Sequence, residues 1–222
     1  MIAWELLARA TTPEGTDLVL QRRGHEFMIL ANGKDLMSSA MHGSEEALAT
    51  FGLARAKTLA APCVLVGGLG LGYTLRAALD ELPAAATVVV AELLDAVVEW
   101  NRGPLADLAA RPLEDHRTQV AMGDVAATLA QSPARFDAIL LDVDNGPRAF
   151  TQEANAALYS NDGIALVKRA LKPRGILAVW SAWDDRKFEH RLRHLGFEVS
   201  TEEVRARLKK GGRRHVIFLG RL

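Results

Sequence analysis

Up to Gly33 the chain alternates short apolar runs with turn signals: Trp4 to Ala8, Pro13-Glu14-Gly15, Asp17 to Gln21, Arg23-Gly24, Glu26 to Leu30, then Asn32-Gly33. Period-two alternation broken by Gly, Asn and Pro predicts a small antiparallel β-meander. The pattern then changes. Ser44-Glu45-Glu46-Ala47-Leu48 reads as a helix start, with Ser44 as its cap and acid in its first turn, running towards Lys57. From Cys63 onward, strongly apolar runs alternate with stretches of helical period. Strands are predicted at 63–66, 88–92, 119–122, 138–142 and 175–180. The helices between and after them are predicted at 73–82, 94–108, 126–130, 160–171 and 185–195.

Alternating strands and helices of this kind build βαβ units around a parallel sheet. The predicted fold is therefore α/β and doubly wound, with a β-meander appendage over residues 1–43 and a main domain over 44–222. Lys172-Pro173-Arg174-Gly175 stops a helix ahead of the fifth strand. Residues 198–207 and 215–222, joined across Gly211-Gly212, predict an antiparallel strand pair at the sheet edge.

Composition narrows the function. Of 222 residues, 49% are apolar and 24% charged, a balance that suits a globular enzyme-sized domain. Lys plus Arg equals Asp plus Glu at 27 each, so no long-range field draws the chain to nucleic acid or anionic lipid. The basic residues Lys209, Lys210, Arg213 and Arg214 read as flanks of a solvated turn. The single cysteine, Cys63, has no disulfide partner, and the six histidines lack metal-ligand spacing, so no metal is expected. The first residues lack the basic and apolar regions of a signal peptide. Glycines and Pro62 interrupt the uncharged stretch after Lys57. The expectation is a cytoplasmic protein without a membrane span.

The sharpest chemical signal is Val64-Leu65-Val66-Gly67-Gly68-Leu69-Gly70-Leu71-Gly72-Tyr73, a buried strand that opens through glycines into a helix. At the carboxyl edge of a parallel sheet such a turn floors a nucleotide pocket, with Gly67, Gly68 and Gly70 admitting the ligand. A dinucleotide fingerprint would need glycine where Tyr73 stands, which argues against NAD. Glu92 closes the next apolar run, where a carboxylate can accept both ribose hydroxyls. Asp124, after Gly123, reads either as a contact to an exocyclic adenine amine or as the cap of the following helix. After the fourth strand come Asp142, Asp144 and Asn145, ahead of Gly146-Pro147. Paired acids there can bind an amine and take its proton, and extended alternation puts Asp144 on the side of Asp142. An Asx-turn is the plain structural reading of the same residues. Trp180 and Trp183 either wall a substrate pocket or pack.

Taken together these segments resemble the spermidine synthase family within the class I S-adenosylmethionine-dependent methyltransferase fold. The likeness runs through the β-rich appendage, 67–76, Glu92, Gly123-Asp124, 142–147 and the stretch from Val167 to Leu177. The resemblance implies a Rossmann-like domain over 44–222 and S-adenosylmethionine or its decarboxylated form as donor. It further implies a small amine as acceptor, and a homodimer. It assigns Gly68, Gly70 and Glu92 to the donor's thioether and ribose portions, Asp124 to adenine, and Asp142 to deprotonation of the attacking amine. Asp144 and Asn145 would face the acceptor.

Three positions depart from the family pattern. Leu69 and Leu71 stand where synthases carry a loop acid, Ser44-Glu45-Glu46 replaces a Tyr-His-Glu-like segment, and Asn145 replaces the second acid of a D-x-x-D loop. Aminopropyl transfer to an amine is the leading expectation. Methyl transfer to a small molecule or protein, and a non-catalytic nucleoside-binding module, are the alternatives.

Overall fold

The structure is a computed structural model that describes residues 2–12, 15–143, 157–206 and 214–222. Two sheets organise it. The first is antiparallel, in the order β1 (Glu5–Thr11), β2 (Asp17–Arg23), β3 (Glu26–Ala31) and β4 (Lys34–Ser38). This is the meander expected from the opening pattern. The hairpin between β3 and β4 turns on Asn32-Gly33, both with positive φ, which matches the right-handed twist of the flanking strands.

The second sheet has seven strands: β5 (Cys63–Gly67), β6 (Thr87–Glu92), β7 (Thr118–Met122), β8 (Phe136–Leu141), β9 (Leu171–Ser181), β10 (Glu198–Arg205) and β11 (Arg214–Arg221). Their order is β10-β11-β9-β8-β5-β6-β7. β5 to β9 pair in parallel, while β11 runs antiparallel to β9 and β10 antiparallel to β11, as the sequence predicts. From β5 the chain builds outward through β6 and β7, then returns to β8 on the other side. The order thus reverses between β5 and β8, and the crevice above such a reversal is where ligands of open α/β sheets bind.

Among the described residues six helices pack on the sheet: α1 (Gly43–Gly52), α2 (Tyr73–Glu81), α3 (Asp95–Arg102), α4 (Val125–Ala130), α5 (Asn161–Ala170) and α6 (Arg186–His194). Alternate residues of the parallel strands feed two cores. Val64, Val66, Val88, Val90, Ala138 and Leu140 meet Leu48 and Leu53 of α1 and its C-terminal flank and Leu75 and Leu79 of α2. Leu65, Val89, Ile139 and Leu141 meet Leu129 of α4, Val167 of α5 and Phe188 of α6. Because both faces are covered, these strands read as continuous apolar runs rather than alternating ones.

A third core joins the two sheets. Leu18, Leu20 and Ile29 of the meander pack on Leu71, Trp100 and Leu105. The meander is thereby seated against the glycine loop.

Local boundaries differ from the expectation where capping chemistry differs. Ser44 is not the cap of α1. The helix starts at Gly43 with His42 in the cap position, and the Ser44 hydroxyl turns to Glu45 Oε2 at 2.8 Å. α1 ends at Gly52, followed by a short 3-10 turn over Ala56–Thr58, so the helix does not reach Lys57. α3 stops at Arg102 because Gly103 takes a non-helical conformation, whereas the sequence predicts continuation to Leu108. Lys172-Pro173-Arg174 interrupts strand pairing rather than preceding the strand. Leu171 pairs with Phe136 and pairing resumes only at Ile176 with Ala138, the excess chain turning on Arg174 at φ +65°. The basic turn residues Lys209, Lys210 and Arg213 lie outside the described residues, while Arg214 pairs with Glu203 at 2.9 Å.

Candidate active site

The loop after β5 is built around a close approach of two backbones. Gly68 has φ +92°, and a Cβ added there would lie 2.5 Å from the carbonyl oxygen of Asp142. Only glycine combines that φ with that contact. We predict that Gly68→Ala costs roughly 2–4 kcal/mol from left-handed strain plus overpacking. Chemical denaturation checks this, and it should disrupt ligand binding in parallel. Gly70 also has a positive φ, and Gly72 caps α2 in the left-handed region. The loop amides hold the turn itself, Gly68 N–H donating to Ala91 O, Leu69 N–H to Glu92 Oε2 and Gly72 N–H to Leu69 O, while Gly68 and Gly70 line the crevice.

Leu69 and Leu71 explain what replaced the loop acid. Leu69 is 3% exposed in the core under α1 and α2, and Leu71 is 6% exposed in the core shared with the meander. Both side chains leave the crevice and anchor the loop.

Glu92 ends β6 beside this loop and is 8% exposed. Its Oε2 accepts from Leu69 N–H at 2.9 Å and its Oε1 from Leu94 N–H at 3.0 Å. Burial raises its pKa, and backbone N–H groups, those of Leu69 and Leu94 foremost, offset part of the rise. Each carboxylate oxygen retains a lone pair for a further donor. Asp124, exposed at the N-terminus of α4, caps that helix, its Oδ1 accepting from Ala126 N–H at 2.8 Å, and it also lines the crevice. Its two sequence readings coexist in space.

Asp142 follows β8 directly. Its N–H donates to Gly67 O at 2.9 Å, which clamps the strand end to the loop, and Thr74 of α2 donates to Oδ2 at 2.6 Å. Asp144 and Asn145, the predicted acceptor contacts, lie outside the described residues. A different acid is coupled electrostatically to Asp142: Glu45, from the first turn of α1. Burial, and after it the charge of Asp142, raises Glu45 to about 8. Burial raises Asp142 to about 6, opposed by the Thr74 hydrogen bond. Both carboxyls are thus held above their ordinary range, burial being the larger cause in each.

The sign for stability follows from the raised value. The folded state binds protons that the unfolded state has released, so stability falls as pH rises from the ordinary carboxylate range, near 4.5, to about 8. Glu45→Gln should flatten this part of the stability profile, as thermal melting across pH 4 to 9 would register.

Around this pair sit groups that no motif announced. His42 stacks on Tyr73 with ring centroids 4.1 Å apart and planes 11° from parallel, and its Nδ1 meets Glu46 Oε1 at 2.8 Å. Burial, then the charges of Glu45 and Glu46, pushes Tyr73 up to about 12, so its phenol stays protonated. The ring packed beside this segment is that of Tyr73, from α2. Tyr73 stands in the sequence only as the residue that breaks a dinucleotide fingerprint. Trp180 packs edge-on to His215, centroids 4.6 Å apart, and Trp183 is 43% exposed.

The crevice is lined by Gly68, Gly70, Glu92, Asp124, Asp142 and neighbours, and is roofed by Leu18, Ile29, Leu36 and Met37 of the meander. Met37 Sδ lies 3.1 Å from where a Gly70 Cβ would stand. Among the described residues, its lining contains three carboxylates, from Glu92, Asp124 and Asp142, and no Lys, Arg or His. Among the described residues, no group of three or more His, Cys, Asp or Glu has the arrangement to hold a metal ion. No helix among them is long and apolar enough to cross a membrane.

A doubly wound sheet with a glycine loop and strand-end acids at its reversal point is the arrangement of nucleotide-binding α/β domains. Within that class, residues 90–217, more than half of the chain, match the family model described as S-adenosyl-L-methionine-dependent methyltransferase. The chain belongs to that family. Among curated proteins, the polyamine aminopropyltransferase of Mycobacterium tuberculosis is 36% identical over 119 residues, covering 52% of this chain and 22% of that protein. Polyamine aminopropyltransferase 2 of Pseudomonas aeruginosa is 32% identical over 120 residues, covering 52% of this chain and 32% of that one. The match thus spans about a fifth to a third of these relatives.

In three dimensions the spermidine synthase of Thermotoga maritima superposes with a TM-score of 0.76 at 16% identity, over 97% of this chain and 72% of that one. A spermidine synthase in complex with the transition-state analogue AdoDATO gives 0.74 at 15% identity, with the same coverages. The whole described fold, meander included, is that of these enzymes.

Proposed function

We propose that this chain is a spermidine-synthase-like transferase that takes decarboxylated S-adenosylmethionine as donor and moves its aminopropyl group to a small amine. The observation that carries the reading is the charge of the crevice: among the described residues its ionisable lining is acidic. S-adenosylmethionine would bring a further carboxylate up to these acids, with no cation among the described lining residues to meet it, which costs free energy. The decarboxylated donor brings only cationic groups. In this reading Gly67, Gly68 and Gly70 admit the thioether portion, Glu92 accepts the ribose hydroxyls and Asp124 the adenine amine. Residues 1–43 form the roof and 44–222 the donor-binding domain.

Asp142 is the base. An ammonium acceptor gives its proton to the Asp142 carboxylate, and the freed nitrogen lone pair attacks the donor's terminal carbon in line with sulfur. The C–N bond forms as the C–S bond breaks, and the electron pair stays on the sulfur of methylthioadenosine. The enzyme's part is alignment and control of the proton. Asp144 and Asn145 complete the acceptor side. A cytoplasmic setting and a homodimer belong to the same proposal, the latter on family likeness alone.

Calorimetric titration with decarboxylated S-adenosylmethionine, S-adenosylmethionine, methylthioadenosine and NAD tests it. Tighter binding of the decarboxylated donor is expected. Preference for S-adenosylmethionine would shift the assignment to methyl transfer, which the family match favours. Donor binding without turnover on any amine would mark a nucleoside-binding module.

A further inference from the structure

The first half of the glycine loop is held by backbone groups and Glu92, the second half by a side chain from the helix behind it. Asn101, on α3, is 2% exposed and donates from Nδ2 to Gly70 O at 2.9 Å and to Val97 O of its own helix at 2.9 Å. Use of both Nδ2 hydrogens fixes the amide, because turned over it would set Oδ1 against two carbonyl oxygens. In the orientation that remains, Oδ1 is buried without a hydrogen-bond partner among the described residues and lies 2.9 Å from where a Cβ on Gly72 would stand. A bare buried acceptor costs free energy, and leucine would fill a similar volume without it. What the amide offers over leucine at this position is the donor to Gly70.

Gly70 lines the crevice, whereas Asn101 stands behind the loop and does not line it. Their hydrogen bond draws the Gly70 carbonyl toward α3. Glu92 and Asn101 belong to one segment, the end of β6 and the helix after it, and they grip neighbouring residues, Leu69 by its N–H and Gly70 by its C=O. A glycine at φ +52° needs such a grip, since the freedom that lets the loop form also admits other orientations of its peptides. We propose that Asn101 is a positioning residue for the donor: it holds the Gly70 peptide in the orientation that the nucleoside portion fits, and so sets affinity without touching the ligand. This rests on the donor-binding reading above. Without the pin the binding-competent loop is populated only in part, and apparent affinity falls by that fraction.

Methylthioadenosine is the probe, since it carries the nucleoside and the thioether whichever group is transferred. Its affinity for wild type, Asn101→Leu and Asn101→Asp is measured by calorimetry from pH 5 to 9, with ligand-free melting at each pH giving the folded fraction. Asn101→Leu removes the donors and the bare oxygen at similar volume. It should bind about tenfold more weakly than wild type at every pH, as when about one molecule in ten holds the competent loop. Asn101→Asp, when ionised, faces two carbonyl oxygens, but its protonated form, favoured by burial, has one O–H to give to Gly70 O. Its weakening relative to wild type should therefore shrink as pH falls, while that of Asn101→Leu stays constant. The ratio to wild type cancels the charges common to all three proteins, those of Glu92, Asp124 and Asp142 in the crevice and of Asp95, Glu99 and Arg102 on α3. A purely structural role would lower melting and leave the folded fraction's affinity at the wild-type value, and that result in the leucine variant overturns the proposal. So does a weakening in the aspartate variant that ignores pH. If wild type itself binds neither methylthioadenosine nor either donor, the donor-binding reading fails and the positioning role falls with it. Wild-type binding with unaltered variants removes the positioning role alone.

Discussion

Asp142→Asn lowers the rate of transfer by roughly 10²–10⁴-fold and leaves donor affinity nearly unchanged, the signature of a lost general base rather than lost binding. Asparagine keeps an oxygen to accept from Thr74 and leaves the backbone clamp to Gly67 intact, so the crevice should hold its shape. What is lost is the acceptor for the amine's proton. The pH profile gives an independent check with a fixed sign. The active form is the Asp142 carboxylate, raised by burial to about 6, so the wild-type rate should climb as pH rises through that value. In the variant the limb near pH 6 should vanish. Steady-state kinetics across pH 5 to 9, with calorimetry for donor affinity, separates the outcomes. Equal losses of rate and donor affinity would place Asp142 in donor binding instead.

Much of this site was legible in the sequence because glycine and strand-end acids obey local rules. Gly68 had to be glycine for a backbone approach, and that approach turns out to be to Asp142 itself, which joins two of the predicted elements at one contact. Asp124 capped its helix as its position before Val125 required. The acid partner of Asp142 was not legible. Alternation along an extended chain pointed to Asp144, which lies outside the described residues, while Glu45, coupled to Asp142 by charge, stands almost a hundred positions earlier and is placed by packing of α1 on the sheet. No local period records such a meeting. The family resemblance had marked Ser44-Glu45-Glu46 only by the tyrosine it lacks, and the ring that packs beside it, Tyr73, comes from another helix. Ser44 misled for a related reason. It is a strong cap by type, yet with Glu45 and His215 as partners it gains more inside the helix than at its end.

Glu92→Gln weakens donor binding by roughly 10–100-fold, since hydrogen bonds to a charged acceptor are worth ~1.5–3 kcal/mol and the amide both loses the charge and replaces one acceptor by a donor. The carboxylate has two tasks at once. It holds the loop through Leu69 N–H and the strand exit through Leu94 N–H, and it presents its remaining lone pairs to the crevice. Glutamine can serve one of these N–H groups with its oxygen but sets an NH2 against the other. Some loop distortion is therefore part of the effect. Glu92→Ala would leave both N–H groups without their acceptor, so its larger loss would mix binding with folding. The two contributions separate by comparing ligands. If Glu92 meets the ribose, binding of methylthioadenosine should suffer about as much as binding of the full donor, because both carry the same sugar. If the residue only shapes the loop, melting of the ligand-free variant should drop while the affinity of the fraction that remains folded is kept. A loss confined to the full donor would instead place Glu92 at the aminopropyl end, with the crevice read in the reverse direction and Asp124 no longer at the adenine.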